Sequence, residues 1–321
     1  MALSPHLHSS LFLLLNPGLY KPSPRVIHKT CHSFPARRTD ECTSVPILYG
    51  LTSCGRIKLR EGAGNADNDW DADTGEGEKM IDRLSIRSRP AGWPIMHQTW
   101  AKLLFLHWPL PPESLRALIP ARLALDTFEG GAWVGMTPFT MWGIRPTLLP
   151  AVPWLSASHE LNVRTYVHLD GVPGVWFFSL DASNALAVLG ARLGFHLPYF
   201  HARMTLKEEG STIRFTSHRT HWDAHPANCE VVWTRGESLP EAEPGRLDFF
   251  LLERYCLYAA RGERLYRARI AHRPWPLCKA RLGGFSSTML ASHGLSAPEQ
   301  EPLLHGQAEP LRVEVWPPQR V

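Results

Sequence analysis

The chain has 321 residues, 44% of them hydrophobic, with 12 Trp and a formal net charge of +4. That is length enough for one large or two small domains with a substantial core. The charge comes from interspersed residues of both signs with no Lys/Arg block, which argues against a nucleic-acid partner or an anionic membrane surface.

Six Cys lie far apart without a CxxC pair, a pattern that speaks against a disulfide scaffold or a zinc knuckle and for a reducing cytoplasm. No apolar run approaches the roughly 20 residues needed to span a bilayer.

Residues 1–87 differ in texture from the rest. Pro and Ser recur without period, and residues 62–78 (GAGNADNDWDADTGEGE) are acidic and Gly-rich. Such a leader has too little to bury to offset its ordering entropy and is expected to be disordered. The apolar cluster Leu11 to Leu15 is shorter than a signal core, and no Lys or Arg precedes it. The acid-free stretch before Asp40, with Lys21, Arg25, Lys29, Arg37 and Arg38, has a transit-peptide flavour. A reading frame opened too far upstream, with Met80 as the true start, explains it more simply. Residues 88–321 are then one domain.

From Met96 the chain is dense in Trp, Leu and Pro. Residues 111–119 (PPESLRALI) place Leu115, Leu118 and Ile119 at helical spacing, and Pro120 ends that helix. Residues 123–126 and 132–139 read as strands across Glu129-Gly130-Gly131. After a Pro-rich link over 145–153, the stretch 159–204 reads as strand, turn, buried strand, short helix and a Pro-bearing loop. Its first strand alternates strictly, with Leu161, Val163, Thr165, Val167 and Leu169 on one face and Glu160, Asn162, Arg164, Tyr166 and His168 on the other. The return strand 175–180 is nearly all apolar, so the polar face is expected to look into an enclosed space. Gly171 and Gly174 are expected to make the turn. Asp181 or Ser183 is expected to cap a short helix whose Leu186, Leu189 and Leu193 line one face and which Gly190 and Gly194 weaken.

A hairpin over 204–219, a strand over 229–233, a helical stripe of Leu247, Phe250, Leu251, Tyr255 and Tyr258, and strands over 265–271 and 311–316 complete the reading. Gly283-Gly284-Ser286-Ser287 reads as loop. The class is β-rich α+β, an antiparallel curved sheet or closed barrel around a central cavity.

The strand face offers chemistry: Arg164 can grip a carboxylate with two donors and Glu160 can act as acid or base. A solvated face or a structural ion pair would give the same alternation. His218, His221 and His225, with Asp223, have the spacing of a small metal cluster but sit on a strand running into a turn, so no metal is expected. Glu253-Arg254-Tyr255 on the late helix reads as a solvated or structural pair. His272, before Pro274-Trp275-Pro276, reads as a satisfied buried His or as pocket lining. GxSxG, GxGxxG and GxxxxGK[ST] are all missing, which removes serine-hydrolase, dinucleotide and P-loop readings, and no cofactor is expected.

The blocks Gln98-Thr99-Trp100, His107-Trp108-Pro109, Glu160 to Val167, Pro173-Gly174-Val175, Phe178-Ser179-Leu180-Asp181, Leu197-Pro198-Tyr199, Glu253-Arg254-Tyr255 and His272 to Leu277 closely resemble the YqjF-like family of uncharacterised proteins. That family looks like a branch of the acetoacetate decarboxylase-like superfamily, echoed in Ser114 to Asp126. The resemblance implies a closed β-rich sheet around a cavity, with Glu160 in the place of the decarboxylases' pocket Glu. There the first Lys after a Pro forms a Schiff base and a second assists it. Here Tyr199 and Phe200 follow Pro198, so the amine is missing. What remains is an acid/base enzyme on a small anionic metabolite such as an oxo acid, of lyase or hydrolase type, with Glu160, Arg164 and Tyr199 catalytic and Asn162, Tyr166, His272 and Trp275 touching the ligand. The alternative is a non-catalytic small-molecule binder. The sequence leaves a homo-oligomer open.

Overall fold

The computed structural model describes residues 81–296 and 298–321; the leader expected over 1–87 lies outside the described residues as far as residue 80. Residues 81–87, assigned to the leader on composition, dock on the domain. Ile86 is buried in the core, the Asp82 amide donates to the Gly171 carbonyl, and Arg83 grips Asp126 with two nitrogens at 2.9 and 2.5 Å.

The strands are β1 (Met96–Ala101), β2 (Leu104–Leu110), β3 (Ala124–Leu125), β4 (Ala132–Pro146), β5 (Ala157–Leu169), β6 (Val172–Ala182), β7 (Tyr199–Glu209), β8 (Thr212–Arg219), β9 (Asn228–Ser238), β10 (Cys256–Arg261), β11 (Arg264–Ala271), β12 (Leu277–Ser287), β13 (Leu303–Gln307), β14 (Leu311–Val315) and β15 (Gln319–Arg320). The helices are α1 (Pro112–Arg116), α2 (Ala185–Phe195) and α3 (Leu247–Leu252).

Twelve strands form a ring that closes where β1 pairs β4. Inside it β5 pairs β4 on one side and β6 on the other, both antiparallel. The partition leaves two smaller closed circuits that share β4, β5 and β6. One runs β7, β8, β9, β12, β13 and β2. It is packed solid by Leu104, Leu106, Met136, Leu161, Val163, Phe215, Val231 and Trp233. The other runs β10, β11, β14 and β1 and holds a cavity. Because β5 has enclosed space on both sides, its strict alternation sends Leu161 and Val163 into the solid half and Glu160, Asn162 and Arg164 into the hollow half.

An extra residue in β6, Phe178, shifts the register between Val163 and Arg164. The bulge switches which residues face the cavity, from Val175 and Phe177 to Leu180 and Ala182. The turn is tighter than the glycine pair suggests: Asp170 and Gly171 take it with φ of 50° and 78°, and Gly174 lies within β6.

Two pairings are parallel, β6 with β7 and β6 with β10. A parallel return needs a crossover, and α2 supplies one, capped by Asn184, whose side chain accepts from the amides of Leu186 and Ala187. Asp181 and Ser183 are engaged elsewhere, Asp181 with Arg219 and Ser183 with the His159 amide. The leucine face of α2 is the outer one. Leu186, Leu189 and Leu193 are 56%, 54% and 70% exposed, while Ala187, Gly190 and Ala191 border the cavity.

Elsewhere α1 is shorter than expected, and β4 extends into the Pro-rich link. The late helix stops at Leu252, with Tyr258 on β10, because 256–261 pairs with β11 as a hairpin. Ser286 and Ser287 lie on β12, paired to β9, and not in a loop.

Candidate functional site

The cavity has a volume of about 290 Å³. Four positions of β5 enter its wall in sequence, Ser158, Glu160, Asn162 and Arg164, as the period-two rule requires of a strand whose other face is core.

Glu160 is 3% exposed, and burial pushes its carboxyl up from the ordinary 4.5 to about 7. The Tyr199 hydroxyl donates to its Oε2 at 2.8 Å, which acts in the opposite direction, as does a hydrogen bond from Asn162. Tyr199 is the first residue of β7 and lies level with Leu180 in the parallel pairing, so the crossover through α2 is what brings it across from Glu160. Burial and the neighbouring carboxylate hold the phenol well above its ordinary value, which leaves Tyr199 a protonated donor.

Arg164 sits at the other end of the row. Its guanidinium carbon is 5.4 Å from the Phe105 ring centre and 6.0 Å from that of Tyr166. Its Nε and Nη2 are buried with no hydrogen-bond partner among the described residues. The same is true of Arg254 Nη2, Asn162 Oδ1 and Thr137 Oγ1, all on cavity-lining residues. Buried polar atoms left unpaired cost roughly 1–3 kcal/mol each, so this group marks where a polar ligand gains most.

Arg254 follows α3. Its Nη1 donates to Asp126 at 2.6 Å and its Nε to the Phe250 carbonyl, and its guanidinium carbon lies 4.7 Å from the Tyr166 ring centre. Glu253 and Arg254 are both buried, which corrects the solvated option for that pair. The Glu253 carboxylate accepts from the Tyr255 hydroxyl and from the Trp275 amide.

Tyr166 continues the polar face of β5 but stands behind the wall, its hydroxyl 2.7 Å from His107 Nε2. Burial first, then the Arg164 charge, holds His107 well below its ordinary value, so the imidazole is neutral. Gly135 makes room for this layer, since a Cβ there would come within 3.0 Å of the His107 ring. Trp275 borders the cavity, stacked 6.0 Å from Trp100. His272 lies one layer further out, stacked 4.5 Å from Tyr255 and held by burial at about 4. It is not among the lining residues.

The structure therefore brings together Glu160, Asn162, Arg164, Tyr199 and Trp275 around one space and leaves Tyr166 and His272 behind it. It adds Thr137, Arg254 and the small face of α2, which no periodicity singled out; only Arg254 had a signal, as part of the Glu-Arg-Tyr block. Lys102 and Lys279 form ion pairs with Glu208 and Glu237, Lys207 is exposed, and none of the three borders the cavity. Among the described residues no three His, Cys, Asp or Glu side chains gather in a way that could hold a metal ion. No helix among them is long and apolar enough to cross a membrane.

Residues 97–309 match the model of DUF2071, described as an uncharacterized conserved protein. The chain is 45% identical over 231 residues to the uncharacterized protein YqjF of Bacillus subtilis (strain 168), covering 72% of this chain and 94% of that one. Among solved structures, the enduracididine biosynthesis enzyme MppR aligns with TM-score 0.51 in its HEPES-bound form (12% identity, 72% of this chain and 88% of that one). Its pyruvate complex aligns with TM-score 0.50 (12%, 73% and 92%). An acetoacetate decarboxylase-like enzyme from Sphingomonas wittichii RW1 aligns with TM-score 0.48 (12%, 71% and 93%). At 12% identity the two MppR structures show the fold alone, and the family rests on the sequence matches: this chain belongs to the DUF2071 family and is a relative of YqjF.

Proposed function

We propose that the protein is an acid/base enzyme acting on an organic anion of the oxo-acid class, without a Schiff base. The observation that carries the reading is a buried carboxyl, Glu160, poised at about 7 and bonded by Tyr199 in the same cavity as the unpaired guanidinium of Arg164. A group with that acidity exchanges protons in both directions near neutral pH. Arg164 anchors the ligand's carboxylate. The Glu160 carboxylate takes a proton from the carbon beside the ligand's carbonyl, the electrons of that C–H bond pass to the carbonyl oxygen as an enolate, and the proton returns from Glu160 to carbon. Tyr199 holds the carboxylate in place. MppR has been captured with pyruvate, which makes the oxo acids the first class to try. Free, buried thiols at Cys229, Cys256 and Cys278 fit a reducing cytoplasm.

The test is deuterium exchange at the carbon beside the carbonyl, followed by NMR in D₂O. Exchange catalysed by the protein and lost in Glu160→Gln supports the enzyme. Saturable binding with no exchange and no product identifies a binding protein instead.

A further inference from the structure

We infer that the ligand is a carboxylate with an extended apolar body, an alkyl- or aryl-bearing 2-oxo acid longer than pyruvate, lying along β5 beneath α2 with its charged end at Arg164. The inference rests on the reading above and adds the class of substrate. Glu160 and Arg164 are four residues apart on one strand face, so their Cα atoms are roughly 13 Å apart. The row is therefore longer than a three-carbon acid, and a carboxylate with an apolar body fills more of it.

The charged end is well defined. The Arg164 and Arg254 guanidiniums flank the Tyr166 ring at 6.0 and 4.7 Å, and each keeps buried N–H groups without a partner. Most of the remaining lining is apolar and includes Phe139, Met141, Phe177, Leu180, Leu257 and Ile270, facing the polar row of β5. A body lying against that row meets hydrocarbon on its other sides, and each methylene buried there contributes.

The roof has the same sense. A helix with four leucine or valine side chains available turns Ala187, Gly190 and Ala191 to the cavity and leaves Leu186, Leu189 and Leu193 exposed. Gly190 is exposed as well as lining the cavity, so it lies at the rim, and a Cβ built on it would have no atom within 4 Å. The space under α2 is thus kept open by small residues, and at about 290 Å³ it lies near the lower end of the ~300–1,000 Å³ that pockets for drug-sized molecules occupy.

The experiment is calorimetric titration with pyruvate, 2-oxobutanoate, 2-oxohexanoate, 2-oxooctanoate and phenylpyruvate, on the full chain and on Gly190→Leu. Leu is a better helix former than Gly, so the variant is expected to fold, and its thermal midpoint checks that. Affinity should tighten about fourfold per methylene, the equivalent of ~0.8 kcal/mol for each CH₂ buried, until the cavity is full. In Gly190→Leu the preference for 2-oxooctanoate over pyruvate should fall at least tenfold. A flat or falling series, an unchanged preference in the variant, or no binding by any member overturns the inference. Long acids that bind as expected without C–H exchange leave the inference standing and defeat the enzyme reading. Exchange confined to pyruvate, with longer acids excluded, does the reverse.

Discussion

The Tyr199 hydroxyl donates to the Glu160 carboxylate at 2.8 Å, and this one contact ties the crossover through α2 to the strand that divides the molecule. Tyr199 follows Pro198, where the resemblance to the acetoacetate decarboxylases implies an amine. A phenol there cannot form an imine, but it can fix a carboxyl whose acidity burial has already moved.

Removing that contact should be visible in the pH profile. Tyr199→Phe takes away a hydrogen bond that favours the ionised carboxylate, so the Glu160 inflection should move from about 7 to higher pH. The check is the pH dependence of C–H exchange, or ¹³C NMR of labelled glutamate.

Stability should respond to the same group with a definite sign. The folded Glu160 carboxyl titrates at about 7 and the unfolded one near 4.5. Stability is therefore full below about 4.5, falls as pH rises through the interval, and carries the whole penalty above about 7, on the order of 3 kcal/mol. Glu160→Gln should flatten this component. Urea unfolding of both proteins at pH 5 and pH 8 measures it, and equal slopes would mean Glu160 is ionised throughout.

Arg164→Lys keeps the charge and loses the planar two-pronged donor. Binding of an anionic ligand should weaken by roughly tenfold or more, in line with about 1.5–3 kcal/mol for a hydrogen bond to a charged group. Calorimetry with 2-oxohexanoate or phenylpyruvate tests it, and wild-type affinity in the variant would remove Arg164 from the site.

Borohydride reduction in the presence of acetoacetate or pyruvate should leave the mass of the protein unchanged. Lys102 and Lys279 are engaged with Glu208 and Glu237, and Lys207 is exposed on β7, away from the cavity lining. A reproducible adduct on any of the three, located by peptide mass analysis, would restore amine catalysis.

Trimming should separate residue 80 from residue 90. A chain beginning at Met80 keeps Arg83 on Asp126 and Ile86 in the core. One beginning at Pro90 loses both, along with the bonds from Arg269 to the carbonyls of Ile86 and Ser88. The shorter chain should be destabilised by about 2 kcal/mol or more, a fall of roughly 5 °C or more in Tm. Equal midpoints would make the 81–89 segment dispensable.

The centre of the molecule was legible because β5 obeys the simplest rule in the sequence. Alternation from Glu160 to Leu169 gave both of its faces, and the apolar return strand gave its enclosure. The strands at the rim were not legible for the converse reason. Leu104 to Trp108 is buried at every position, so β2 has no polar face and no period to read.

Tyr255 and Tyr258 fall at helical spacing behind Leu251 but belong to the link after α3 and to β10, where tertiary pairing overrides the pattern. The roof of the cavity was hidden differently. Leucines on a short helix normally point to the core, and on α2 they do not, because small side chains face the cavity. Arg254, nearly a hundred residues from Glu160 in sequence, enters the same wall only through the fold.

The shared partition also sets when the site comes into being. Hairpins such as β7–β8 and β10–β11 join neighbours in sequence, but the hollow circuit closes only when Met96 meets Val315 and Trp100 meets Leu311. Such distant pairings are slow to form, on the order of milliseconds to seconds in all-β domains. During synthesis Glu160 and Arg164 emerge long before the strand that encloses them. The proposed ligand site is therefore assembled only once β1 and β14 have paired, and the first appearance of binding after dilution from denaturant is expected to time that step.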